Sequence, residues 1–510
     1  MLKLPTEIYI NIFQSLDFEC LLICQQVCHS FREMILGSAA LQYVIQLAEN
    51  GQREGPCCST WTSADRLARL ASHQSSWNKL AWNREIIVPM TDGTSWELYG
   101  GVLAQTTSDG KISFHQLPSD LRCIEEEEWS VDVDMGFEIR DFSMNPSVGL
   151  LVLVEESGWL LPGSVHEQRF HLRSMKTGEP HPLAACPMLA LQQKIEHENN
   201  SYDLQISGDL LTVLCTPFSA EIFELAIWHW KSGSLLLNIA SEDIMSFTLL
   251  SDRWVILCIS VPCINVAYEC GTPSLLAVDF REETNDRKDL GDIEHCRVFR
   301  YPEFADVYNI CMEIRADPGT SCAKNSGVPF ALDTQTFIIV VTLCVIGMDS
   351  VIKNFVHFIP SEFLLSVVES SGGRSAAPLD WSSWGPLNTR LLATAESPSD
   401  VWVCYVYGNK FVISEEVGQY GYSGRLFDFS KRKLWNVDKD DGPGAPASIN
   451  TQTLIQADEN LLVDDVDSHL PYWSRPFSLE NGHSHCAVLC SEDNIILVDQ
   501  ECKEYRVLVF

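Results

Sequence analysis

From residue 90 to residue 510 the hydrophobic pattern repeats every two residues, and almost nothing in that stretch keeps a helical period for long. "GGVLAQTTSDGKISFHQLPSD" reads as strand, Asp-Gly turn, strand. "LLVLVEES", "LQISGDLLTVLC", "WVILCISV", "VWVCYVYGNKFVISEE" and "CAVLCSEDNIILVDQ" repeat the theme between Gly, Asp or Asn turns. So many short strands in one open sheet would leave long unpaired edges, so the architecture has to close on itself or repeat.

Repetition is visible directly. "ISFHQLPSD" from Ile112, "FHLRSMKTGEPHPL" from Phe170, "AIWHWKSGSLLLNI" from Ala226, "RLFDFSKRKLWNV" from Arg425 and "IILVDQECKEYRVL" from Ile495 share one grammar of alternating apolar residues and a polar or basic turn. Weaker copies stand at "LLAVDFREET" and "KNFVHFIPSEF". These marks recur at roughly 50 to 80 residues, the spacing of β-propeller blades with insertions. The expected fold class is therefore α+β multidomain: a small helical N-terminal unit, then a large all-β, degenerate β-propeller of about seven blades. "IWHWKSG" resembles the outer-strand signature of WD-type repeats, without a closing Trp-Asp pair.

The first residues follow another rule. Ile8, Ile12, Phe13 and Leu16 keep helical spacing behind Pro5, Asp17 interrupts, and Leu21, Leu22, Cys24, Val27, Cys28 and Phe31 resume the pattern into a third helix with Met34 and Ile35. Three short helices in so few residues cannot bury their own apolar faces, and units below about 40 residues usually need a disulfide, a metal or a partner. Leu4-Pro5-x-Glu7-Ile8, Ile12-Phe13, Leu16, Leu21-Leu22 and Val27-Cys28-x-x-Phe31 resemble the F-box motif without a gap, with Phe31 where a tryptophan is usual. That resemblance implies docking of these residues on a Skp-family adaptor, and through it on a cullin–RING ubiquitin ligase core. Boundaries of 1–38 for the F-box, 39–89 for a helical linker and 90–510 for the propeller follow. In the linker, Thr62 or Ser63 is the expected N-cap of a helix through "ADRLARLASHQSSWNKLAW", with Asp65 in its first turn.

Composition narrows the partners. A net charge of −34, from 69 acidic against 35 basic side chains, repels a phosphate backbone, so nucleic acid is not an expected ligand. Nineteen scattered cysteines suit a reducing compartment, cytoplasmic or nuclear, and no secretory signal opens the chain. The longest apolar run, "FIIVVTLCVIG" at 337–347, is far shorter than the roughly 20 residues of a membrane span and reads as buried strand. Cys20, Cys24 and Cys28 line one side of a helix, yet lack the usual zinc spacing and serve better as small apolar residues.

No G-x-S-x-G, P-loop, G-x-G-x-x-G or H-E-x-x-H motif occurs, and no cofactor is expected. His483, His485, Cys486 and Cys490 are the remaining possible metal ligands, on what reads as core strand; the pairs Asp440-Asp441 and Asp464-Asp465 read as solvated loop. Propellers bind through loops, and two insertions stand out, 367–388 with Trp381 and Trp384, and 437–452. An exposed aromatic pair would suit a recognition hot spot for an unknown protein substrate, the alternative being that the two tryptophans fold back onto the propeller. Over most of its length the chain resembles fungal F-box proteins with a propeller-like C-terminal half, most closely in "RFHLRSMKTGEPHPLA" and "GGVLAQ…LPSD". The expected function is that of a non-catalytic substrate receptor, the alternative a non-degradative scaffold.

Overall fold

Pro5 precedes α1 (Thr6–Gln14), where its missing N–H costs nothing. Asp17 caps α2 (Phe18–Val27), its Oδ1 accepting the Cys20 N–H at 2.7 Å, and α3 (His29–Gly37) and α4 (Ala39–Glu49) follow. Together they enclose Phe13, Leu21, Ile35, Leu41 and Ile45 in a core of their own, with Phe31 edge-on to Phe13 at 5.1 Å. Thr62 and Asp65 form a reciprocal cap on α5 (Ser63–Lys79): Thr62 Oγ1 accepts the Asp65 N–H and Asp65 Oδ2 accepts the Thr62 N–H. The computed structural model describes residues 4–55, 61–132, 136–156, 165–194, 200–217, 222–260, 272–305, 307–317, 327–370, 377–394, 405–417, 421–430, 448–457, 462–478, 485–499 and 503–510.

Seven sheets of four or five strands form the β region, a seven-bladed propeller. They are built from residues 96–132 (blade 1), 139–194 (blade 2), 200–241 (blade 3), 244–300 (blade 4), 307–394 (blade 5), 406–478 (blade 6) and 485–509 (blade 7). Most blades are plain meanders; blade 3 gains Arg287–Asp289 as a parallel outer strand and blade 6 places Ser448–Asn450 outside Tyr472–Ser478, while the first strands of blades 1 to 5 are successive neighbours around the axis. The seven marks read from the sequence fall one to a blade, on the third strand of blades 1 to 6 and the second strand of blade 7. Apolar residues of adjacent sheets interlock between blades; Leu249, Val255 and Leu257 of blade 4 pack with Leu225, Ile227 and Ile239 of blade 3. The run at 337–347 supplies one ten-residue strand, Ile338–Gly347. No helix among the described residues is long and apolar enough to cross a membrane.

Two differences from the sequence reading concern how far a segment pairs. The strand Arg84–Pro89, inside the stretch assigned to a helical linker, is the outer strand of blade 7, with Ile86 opposite Val507 and Val88 opposite Tyr505. Its partner lies so far along the chain that local periodicity carries no trace of it. The insertion at 367–388 is not a free loop around exposed tryptophans: it contains the end of α6 (Ser361–Ser370) and all of α7 (Trp381–Asn388). Residues 377–388 are clamped on blade 4, where the Arg300 N–H donates to the Leu379 carbonyl and the Leu379 N–H to the Val298 carbonyl, both at 2.9 Å. Residues 371–376 of this insertion, and 437–447 of the other, lie outside the described residues.

α5 fastens the helical unit to the propeller. Trp77, fully buried, stacks on Phe510 at 4.2 Å, and the Lys410 ammonium lies over the Trp77 ring, 4.8 Å from its centroid. His73 Nε2 sits 3.0 Å from Asp493 Oδ1, while Arg122 donates to Asp493 at 2.7 Å and to the Phe330 carbonyl at 3.2 Å. Burial by itself would raise the Asp493 carboxyl; Arg122 and His73 overcome that and hold it well below the usual carboxylate range. Gln52–Glu54 adds a strand beside Phe330–Leu332, and the Tyr43 hydroxyl donates to the Pro329 carbonyl at 2.6 Å.

Candidate functional site

The twelve residues of the F-box pattern divide into two groups. Phe13 and Leu21 are buried, and Leu16, Leu22 and Phe31 are half-buried against them, so these five hold the helices together. Leu4, Pro5, Glu7, Ile8, Ile12, Val27 and Cys28 are exposed. Leu4, Ile8 and Ile12 recur at i, i+4 and i+8 and so form one stripe along α1 and the residues before it. A second stripe, Ile23 at 62% and Val27 at 64% exposure, runs along α2. α2 is thus apolar on both faces, inside at Leu21 and outside at Ile23 and Val27, which is how a helix looks when both sides are meant to be covered. The sequence reading passed over Ile23 and Leu36, both exposed; "LLI" at 21–23 was the signal, because three consecutive residues of a helix cannot share one face.

Trp381 and Trp384 do not form an exposed pair. Trp384 is 1% exposed, donates its indole N–H to the Arg300 carbonyl at 2.9 Å and meets Phe299 edge-on at 5.2 Å. Trp381 is half-buried and stacks on Tyr301 at 6.0 Å. An indole that finds both apolar contact and a carbonyl for its N–H is more stable inside than in a loop, so Trp384 anchors the insertion, with Trp381 edge-on to it at 5.4 Å. Cys490 is buried, His483 lies outside the described residues, and among the described residues no three His, Cys, Asp or Glu side chains come together as a metal site.

The sequence reading missed the propeller's own concave site. A cavity of about 870 Å3 is lined by first-strand residues of blades 1 to 5, together with second- and third-strand residues of blades 3 and 5. Four carboxyl groups reach its wall, Glu97 of blade 1, Asp141 of blade 2, Asp203 of blade 3 and Glu313 of blade 5, against one guanidinium, Arg315. Arg315 is paired with Asp203 at 3.0 Å and with Glu313 at 2.9 Å. Burial pushes Glu97 up to about 8, with Asp141 adding to the rise, and pushes Asp141 up to about 6. Glu97 is half-buried, and the surface it keeps belongs to the channel it lines. No local signal marks these residues, since an acidic side chain within a short strand reads as its solvent face until the ring closes around it.

The F-box-like family model matches residues 1–41. No curated protein matches the chain. Among solved structures, BamB from Moraxella catarrhalis aligns over 84% of this chain and 99% of its own at 8% identity and a TM-score of 0.33. Extracellular domains 1–2 of Drosophila Semaphorin 1b align over 84% and 86% at 8% identity and a TM-score of 0.37. The β-propeller domain of Vanderwaltozyma polyspora Nup133 aligns over 84% and 100% at 5% identity and a TM-score of 0.33.

Proposed function

We propose that the chain is a non-catalytic substrate receptor of a cullin–RING, SCF-type ubiquitin ligase, working in the cytoplasm or nucleus. Its F-box docks on a Skp-family adaptor and its propeller holds a target protein, so that the ligase gains proximity and orientation while the bond chemistry is done by other subunits. The observation that carries this reading is the pair of exposed apolar stripes, Leu4-Ile8-Ile12 and Ile23-Val27, on helices whose own core is already closed within a segment matching the F-box-like family. Apolar surface left outside a finished core marks an interface. A standard interface of about 800 Å2 per partner, centred on Leu4, Pro5 and Ile8, would cover it. Kinship with fungal receptors of this kind rests on the two segments quoted above.

The test is co-purification with a Skp-family adaptor. Changing Leu4 and Pro5 together to Ala is expected to abolish it while the thermal transition of the chain stays in place; undiminished capture of the adaptor by the variant overturns the reading. Ubiquitin-remnant proteomics with and without the chain separates a receptor, which changes target ubiquitylation, from a scaffold, which does not.

A further inference from the structure

In blades 1 to 4 the axial cavity is lined at the starts of the inner strands. Thr94, Ser95, Ser201 and Met245, at or just before the starts of inner strands, line it, whereas α5 meets Asp493 and Lys410, in or beside turns that follow inner strands. Its mouth therefore faces away from the helical unit. At that same end blade 5 exposes Tyr308, at the start of its inner strand, and Met348, Val351 and Ile352, on and beside the turn between its second and third strands. A patch of exposed apolar side chains beside a cavity of this size fits a bound segment of protein better than a small ion.

The wall selects the charge of that segment. Arg315 pairs directly with Asp203 and Glu313; among the described residues Glu97 and Asp141 form no close ion pair, Arg315 and Arg140 acting on them only through space. Asp141 accepts the Phe142 N–H at 2.8 Å, and among the described residues no side chain donates to the Glu97 carboxyl. A guanidinium or ammonium can span two neighbouring carboxyls with its own N–H donors. The surrounding charge of −34 favours the approach of a basic partner.

We propose that the mouth of the channel binds a protein segment carrying an arginine or lysine, its cation entering between Glu97 and Asp141 and its apolar neighbours resting on the blade 5 turn. This deepens the receptor reading and rests on it, since it names the chemistry of the target. The cation replaces the proton that Glu97 holds at neutral pH, so binding of an arginine segment tightens as that proton is lost. The groups that face Glu97 are Asp141, Asp203, Arg315 and Asp317, with Glu313 and Tyr202 on the same wall. Ionisation through about pH 8 makes the rise in affinity from pH 7 to pH 9 about tenfold.

The probe is a printed array of random acetylated heptapeptides, bound by the purified full chain without adaptor. Retained peptides are expected to be rich in Arg or Lys beside apolar residues, and replacing that Arg with citrulline should weaken binding by at least about tenfold. The chain carrying Glu97→Gln and Asp141→Asn should lose the same factor and the pH dependence, while melting no lower than the original. Enrichment of neutral or acidic peptides, an array that retains nothing, indifference to citrulline, or unchanged binding by the double variant each overturns the proposal. The Leu4→Ala, Pro5→Ala chain should bind the array normally, so loss of adaptor capture and loss of peptide capture report on separate claims.

Discussion

At Glu97 a carboxyl that ordinarily titrates near 4.5 is held protonated to about 8 by burial, reinforced by Asp141. The folded value lies above the unfolded one, so the folded protein is penalised when the group ionises. That penalty is absent below about pH 4.5, grows between the two values and is complete above about 8. With channel water screening part of it, the penalty is on the order of 2 kcal/mol. Glu97→Gln is therefore expected to raise the melting temperature above that of the original chain at pH 9 and to leave it unchanged at pH 4, as read by calorimetry. Asp493 behaves in the opposite sense: its depressed value contributes stability above the ordinary aspartate range, lost as pH falls through the folded value. Asp493→Ala leaves Arg122 to Glu492 alone, and His73 loses its carboxylate. Breaking a buried pair in this way costs about 3 to 5 kcal/mol, to be measured by urea unfolding.

Among the elements, Arg84–Pro89 and α5 carry the most consequence for their size. A fragment beginning at residue 83 retains the outer strand of blade 7, and one beginning at residue 90 exposes the edge of Glu504–Val509. The shorter fragment is expected to aggregate or melt markedly lower, and light scattering during a thermal ramp checks it. Trp77→Ala removes the stack on Phe510 and opens a cavity, at about 3 to 5 kcal/mol, and should make the segment before blade 1 sensitive to protease. These elements also show what could be read in advance. Strands, blade marks and the Thr62 cap were legible because alternation and capping are local signals. α6 was missed although Leu364 and Val368 stand four apart and are both buried, since "SEFLLSVVES" lay inside a region whose dominant period is two. The closing strand, the enclosure of Trp384 and the acidic channel depend on residues brought together from distant blades, which no window on the sequence contains.

For the whole molecule, the proposed receptor is a bracket with two binding ends. Exposed Leu4, Ile8, Ile12, Ile23 and Val27 stand at one, the mouth of the channel at the other, and the buried His73, Asp493 and Arg122 contacts join the helical unit to the ring between them. The account depends on the first end being completed by another polypeptide, and calorimetric titration of a purified Skp-family adaptor into the full chain tests this most directly. It predicts one-to-one binding with a negative heat-capacity change from buried apolar surface, weakened at least about a hundredfold by Ile8→Asp with Val27→Asp at an unchanged melting temperature. Absence of binding by the original chain, or equal affinity in the double variant, contradicts it.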